Sequence, residues 1–232
     1  MTEEDDRIVG VYKERIQNRV IDRYSLFFPG ELYMSQRREE ESLRLLARSG
    51  LKSLRGMQIL DVGCGRGTRV PDWIKWGALP SSIFGVDLLE PFIAQARETI
   101  PGSHFLVGSA RALPFENDSF DLIVQSTVFT SILHGETKQQ IAAELVRVAK
   151  PGGLILWYDF RYPNIKNPDV KPIGIRELRN LFPKAHLDVT SLTLLPPVSR
   201  RLAPISPTMC RFLETCLPFL RSHYLALIRI SK

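Results

Sequence analysis

Residues 57–70, MQILDVGCGRGTRV, constrain this chain more than any other stretch. A short apolar run (Met57, Ile59, Leu60, Val62) carries Asp61 near its end and then meets glycines at Gly63, Gly65 and Gly67. Apolar alternation into a glycine turn reads as a buried strand that stops abruptly. Ligands of open α/β sheets bind at such carboxyl ends, and a glycine turn lets one lie against the backbone. The spacing is G-x-G-x-G, with Thr68 where a dinucleotide fingerprint has its third glycine. No G-K-[ST] follows, so this is not a phosphate-gripping loop. An acid just before the first glycine suits the positive end of a ligand and would repel a pyrophosphate.

Three later segments extend the pattern. SSIFGVDLLE (81–90) reads as a second strand ending at Asp87, about 20 residues past the glycines, where a carboxylate accepts from ribose hydroxyls. VGSARALPFENDSFDLIVQST (107–127) and AAELVRVAKPGGLILWYDF (142–160) follow in order. Together, over residues 57–160, these segments resemble the class I S-adenosylmethionine (SAM)-dependent methyltransferases. The resemblance implies an α/β, Rossmann-like fold: a seven-stranded, mostly parallel sheet of order 3-2-1-4-5-7-6, strand seven antiparallel, with helices on both faces. It divides the chain into an N-terminal helical lid or extension (1–55) and a SAM-binding domain (56–232) with an insert at 196–221.

The 232 residues suffice for one domain with a full core. No apolar run approaches the ~20 residues of a membrane span. The acidic start, MTEEDDRIVG, is unlike a secretory signal, and Cys64, Cys210 and Cys216 have no metal-ligand spacing; both point to a cytoplasmic location. The net charge of +6 is almost all in residues 197–232, where six basic residues face one acid, Glu214. Such an end suits an anionic substrate, nucleic acid or an anionic membrane surface, or is simply a solvated face.

Periodicity places helices at 5–23 (Ile8, Val9, Tyr12, Ile16, Val20) and 31–49, the second with Leu43, Leu45 and Leu46 inward. Strands are expected at 57–62, 82–87, 104–107, 120–125, 153–159, 186–195 and 223–230. Further helices are expected at 70–77, 91–99, 136–149 and 175–181. The insert is longer than a hairpin needs, and long insertions are often functional. Its apolar residues Met209, Phe212, Leu213, Cys216, Leu217 and Leu220 share one helical face, which is expected in the core.

By resemblance, Gly63 and Gly65 pass close to the methionine part of SAM and Asp61 orients its ammonium. Asp87 holds the ribose and Leu88 lies against adenine. Ser109-Ala110 falls where many members carry an acid for the adenine amino group, a departure from the pattern. Gln125 and Ser126 line the methionine side, and Arg37 with Tyr33 closes over the SAM carboxylate. Asp159 and His134 are the candidate catalytic bases, and His223 is a further candidate for base or substrate anchor. No metal is expected. The chain lacks the Pro-Pro-aromatic, Pro-Cys and double-glutamate signatures of base and arginine methylation, and QSTVFTSI follows strand four instead.

The expected function is transfer of a methyl group from SAM, leaving S-adenosyl-L-homocysteine, to a small-molecule acceptor: a hydroxyl of a sugar, glycan intermediate or secondary metabolite. The alternatives are an RNA or protein methyltransferase and a SAM-binding scaffold without catalysis. DNA and RNA are not the expected partners. The insert 196–221 is expected to set acceptor specificity, with peripheral membrane contact as a further role.

Overall fold

The computed structural model describes residues 2–18, 24–164 and 167–232. Its strands are β1 (Ile59–Val62), β2 (Ile83–Asp87), β3 (His104–Val107), β4 (Phe120–Ser126), β5 (Ala149–Phe160), β6 (His186–Leu194) and β7 (Arg221–Arg229). Its helices are α1 (Glu3–Gln17), α2 (Pro29–Arg48), α3 (Val70–Lys75), α4 (Glu90–Thr99), α5 (Gly135–Val148), α6 (Ile175–Leu181), α7 (Pro196–Leu202) and α8 (Pro207–Cys216). The sheet order is β3-β2-β1-β4-β5-β7-β6, with β7 antiparallel to both neighbours, as the sequence resemblance implied. Val20, assigned above to the first helix, lies outside the described residues.

The central strands are apolar on both faces because helices cover both. Successive side chains alternate between those faces. Ile123, Ile155 and Trp157 meet Ile141 and Leu145 of α5. Leu122, Val124, Leu154 and Leu156 meet Leu45 and Leu46 of α2, Trp73 of α3 and Ile93 of α4. The same parity sorts the polar residues. Asp61, Ser126 and Tyr158 line the space beneath α2, whereas Asp159 is one residue out of phase.

Three expectations change. The strand expected at 153–159 begins at Ala149, because the Pro-Gly-Gly segment is an irregularity inside the strand and not a turn before it. Phe120 pairs with Ala149 but Leu122 with Leu154. Gly152 supports this with φ +74, and a Cβ on Gly153 would lie 2.8 Å from the Lys150 carbonyl oxygen. Leu43 does not face inward with Leu45 and Leu46; it is 40% exposed. The apolar face of the insert is core only in part, with Leu213 and Leu220 packing against Tyr33, Leu194, Ala203 and Cys210. α8 buries Cys210 and Glu214 and turns Met209 and Phe212 to solvent.

α2 and α7 touch at close range through Gly30, where a Cβ would lie 2.6 Å from Arg200 Cα and 2.9 Å from Arg200 N. Those are backbone atoms and cannot swing away. Gly30→Ala is therefore expected to destabilise the fold by about 1–3 kcal/mol, the range for overpacking. Chemical denaturation measures this, and an unchanged midpoint would refute the contact.

Candidate cofactor and acceptor site

The site lies at the carboxyl ends of β1, β2 and β4. Gly63, Gly65 and Gly67 have φ of +70, +54 and +69, a region that L side chains rarely adopt. The Val128 side chain sits over Gly63, and a Cβ there would lie 2.5 Å from it; Gly65 faces open space. Asp87 ties the loop to β2, accepting from the N–H of Gly65 (2.8 Å) and of Leu89 (3.0 Å).

Asp61 is 4% exposed, and none of the described residues donates a hydrogen bond to its carboxylate. Burial, then the negative charge of Asp87, pushes its pKa well above the usual carboxylate range. Arg38 of α2 lines the same pocket, with Asp61, Arg69, Ser126 and Tyr158. Its Nη1 donates to Ser126 Oγ (2.7 Å) and its guanidinium lies 4.9 Å from the Tyr158 ring centroid. No carboxylate pairs with it among the described residues, and burial lowers its pKa to about 10. A buried carboxylate and a half-buried guanidinium, each without a salt-bridge partner among the described residues, thus share one pocket. That charge arrangement complements the ammonium and carboxylate of a free amino-acid group, and Gly65 leaves space against the backbone. The residues present fit the methionine part of SAM.

Arg37 does not share this pocket. Its three nitrogens go to Glu40 (2.5 Å), Glu41 (3.0 Å) and Glu214 (3.1 Å), on the other side of α2. Tyr33 is likewise a buried strut, donating to Glu214 at 2.7 Å. Adjacent residues on a helix point about 100° apart, so Arg38, one position on, faces the sheet.

Asp159 is 1% exposed and its carboxylate is fully used. It accepts from Gln125 Nε2 (2.9 Å), Thr130 N (3.1 Å) and Thr130 Oγ1 (2.7 Å). Gln125 Oε1 in turn accepts from Val128 N at 3.2 Å. Asp159 thereby shapes the turn after β4 that carries Thr127, at φ +59, and Val128. His134 is an exposed side chain that caps no backbone N–H of α5, with Nε2 3.6 Å from Glu4. His223 stacks on Tyr158 and Phe160, and burial, then Arg38, lowers its pKa to about 3, so it is neutral at ordinary pH. Ser222 donates its one proton to the Thr193 carbonyl (2.9 Å), so the 2.8 Å contact is His223 Nδ1–H donating to Ser222 Oγ.

Sequence reading missed two residues. Arg38 differs from Arg37 only in helical phase. Asp5 of α1 has no local signal; its Oδ1 accepts from the Ser109 hydroxyl at 3.1 Å. It brings a carboxylate to the segment where Ser109 lacks one. Among the described residues no group of three or more His, Cys, Asp or Glu is placed to hold a metal ion.

Two consequences are measurable. Glu214 also accepts from the N–H of Thr193 (3.2 Å), so its removal strands Tyr33 and a backbone donor and takes one of three carboxylates from Arg37. Glu214→Ala is expected to cost about 3–5 kcal/mol in urea denaturation; a loss under about 1 kcal/mol, the surface-pair value, would refute the network. Asp159 has its pKa raised by burial to about 6, so the unfolded chain releases that proton first. Its contribution to stability is therefore fully present below about pH 4 and falls as pH rises to about 6, by roughly 3 kcal/mol. Asp159→Asn should remove that slope from the pH–stability profile.

Residues 60–157 match the family model described as a methyltransferase domain. A phthiotriol/phenolphthiotriol dimycocerosates methyltransferase of Mycobacterium ulcerans is 35% identical over 113 residues, 48% of this chain and 40% of that protein. A demethylmenaquinone methyltransferase of Renibacterium salmoninarum is 28% identical over 120 residues, 52% of this chain and 48% of that protein. The matches thus span less than half of each relative. The solved SAM-dependent methyltransferase of Mesorhizobium loti aligns over 80% of this chain and 96% of its own, at 18% identity and a TM-score of 0.57. Residues 60–157 are accordingly a methyltransferase domain, and the sheet that holds them is that of the class I SAM-dependent methyltransferases.

Proposed function

We propose that the chain transfers a methyl group from SAM to a hydroxyl of a small, largely apolar acceptor. The observation that carries this reading is the unpaired Asp61–Arg38 couple beside the glycine loop, which matches the zwitterionic end of SAM and little else. In this reading Gly63 and Gly65 give the methionine part room, Gln125 and Ser126 border it, and Asp87 takes the ribose. Leu88, Ala110, Ser109 and Asp5 surround adenine. Residues 1–55 act as the cover, α1 bringing Asp5 and α2 bringing Arg38. When bound, SAM supplies a methyl group on a sulfonium that is already a good leaving group.

The chain's own work is then alignment and exclusion of water. Tyr158, Leu156, Leu225 and Trp73 are the apolar wall of the pocket that takes the methionine part, and the acceptor is read as apolar from the relatives. The relatives named for lipid and quinone methylation support that choice over a sugar. Asp159 is a positioning residue: it acts through Gln125 and Thr130, which hold the turn after β4. His134, beside Glu4, serves to seat α1 on α5. Residues 196–221 shape the acceptor side from behind α2.

Calorimetry with SAM tests the cofactor half. Arg38→Gln and Asp87→Ala should each weaken binding by about 1–3 kcal/mol, a factor of roughly 5 to 150. Unchanged affinity in both would sink the assignment. Radiolabelled SAM offered with a long-chain diol, an isoprenoid quinol and a methyl-accepting sugar tests the other half; turnover of the sugar alone would reverse the acceptor class. Turnover should survive a chelator.

A further inference from the structure

His223 is a buried histidine whose hydrogen bonds leave one ring nitrogen unused. Its Nδ1–H donates to Ser222 Oγ (2.8 Å), and the Ser222 proton goes to the Thr193 carbonyl oxygen (2.9 Å). Nε2 therefore carries the lone pair. It has no partner among the described residues, and it is not one of their fully sealed, unpartnered atoms, which are Arg66 Nε and Ser103 Oγ. Two rings fix the imidazole. Tyr158 lies almost parallel to it, 4.4 Å between centroids, and Phe160 lies 4.0 Å away. Buried polar atoms are normally satisfied, so an unused acceptor on a fixed ring points to a donor from outside the chain.

Strand register places this ring beside the cofactor pocket. Tyr158 of β5 pairs with Ser126 of β4 on one side and Leu225 of β7 on the other, and all three line the pocket. His223 is two residues from Leu225, so it shares that face of the sheet, and it pairs with Phe160, two residues beyond Tyr158. At a rise of about 3.3 Å per residue it stands roughly 7 Å further toward the carboxyl end of β5. Ligands of open α/β sheets lie in that direction. Arg38 is near enough to lower the imidazole pKa by its charge, so the two groups border the same space. The glycine loop follows β1, whereas His223 stands on β7 with its ring against β5. A second reactant fits between them, over β4 and β5.

Resting on the reading of the pocket as a SAM site, we propose that His223 Nε2 accepts the hydrogen bond of the acceptor's hydroxyl and takes its proton during methyl transfer. His223 is then a catalytic residue. Nε2 receives the proton as the oxygen–methyl bond forms. The electron pair of the broken methyl–sulfur bond stays on sulfur, and the positive charge lost there reappears on the imidazole, from which water removes the proton. The pKa of about 3 suits this order of events. It is too low to ionise an alcohol beforehand, but an oxygen that gains a methyl while keeping its proton is a far stronger acid than imidazolium. Nδ1–H stays on Ser222 Oγ throughout, so the ring keeps its orientation as the charge appears.

Nitrogen NMR of protein labelled at histidine tests this without any variant. With the site filled by S-adenosyl-L-homocysteine, dodecanediol or an isoprenoid quinol should move the Nε2 resonance toward the protonated side. The dimethyl ether of each probe has no O–H and should leave it in place. His223→Gln keeps an acceptor oxygen but cannot carry the proton. It should lower kcat with radiolabelled SAM by about a hundredfold and change KM for the probe much less. His223→Phe should abolish turnover. Calorimetry should find wild-type affinity for S-adenosyl-L-homocysteine in both variants, which separates a lost proton acceptor from a lost fold. An Nε2 resonance that neither hydroxyl probe moves, with S-adenosyl-L-homocysteine bound, overturns the proposal alone. So does an equal shift with probe and ether, or a His223→Phe enzyme that turns over at the wild-type rate. Wild-type protein that fails to bind S-adenosyl-L-homocysteine refutes the cofactor reading, and this inference with it.

Discussion

The Glu214 carboxylate organises the half of the molecule that lies outside the shared sheet. It collects the phenol of Tyr33, the guanidinium of Arg37 and the N–H groups of Thr193 and Leu194. One buried acid thereby ties α8 to α2 and to the end of β6. Thr193 sits at φ +66 there, a strained backbone position held by the same contacts. A buried pair of this kind contributes little net stability compared with well-packed apolar residues, but it fixes orientation, because either partner alone is costly. The rotation of α8 follows from it. With Glu214 inside, Met209 and Phe212 have nowhere to go but out.

The same bond sets the candidate site. Arg37 anchors α2 from one side, and helical phase then delivers Arg38 to the other, over Tyr158 and next to Asp61. Pocket and insert are thus coupled through two adjacent arginines. On the opposite face of the sheet Asp159 performs a parallel task, holding Gln125 and Thr130 so that the turn after β4 sits over Gly63. Two buried carboxylates, each fully hydrogen-bonded, frame a third that accepts none. It is the third, Asp61, whose unused acceptor oxygens mark the place for a ligand.

The sheet and its glycine turn were legible because their signals are local and periodic. Asp61, Gly63, Gly65 and Asp87 lie where a strand must end and a backbone must turn, and those requirements are written within a few residues. Arg38 and Asp5 were not legible. Choosing Arg38 over Arg37 needs the rotation of α2 to within one residue, and Asp5 meets Ser109 across 104 positions of chain. Asp159 reads as a free acid at a strand end until parity places it opposite Gln125 and Thr130.

What the sequence by itself determined is the order of elements, the parallel core and the acidic strand ends, since hydrophobic period and glycine geometry act at short range. Only the tertiary structure decided which face of each amphipathic element is buried. In α8 one buried carboxylate outweighed part of the apolar stripe, because Glu214 satisfies the Tyr33 hydroxyl, the Arg37 guanidinium and two backbone N–H groups at once. That choice turned Met209 and Phe212 of an expected core helix to solvent, and it depends on Tyr33, Arg37 and Thr193, which come close to Glu214 only when the chain has folded.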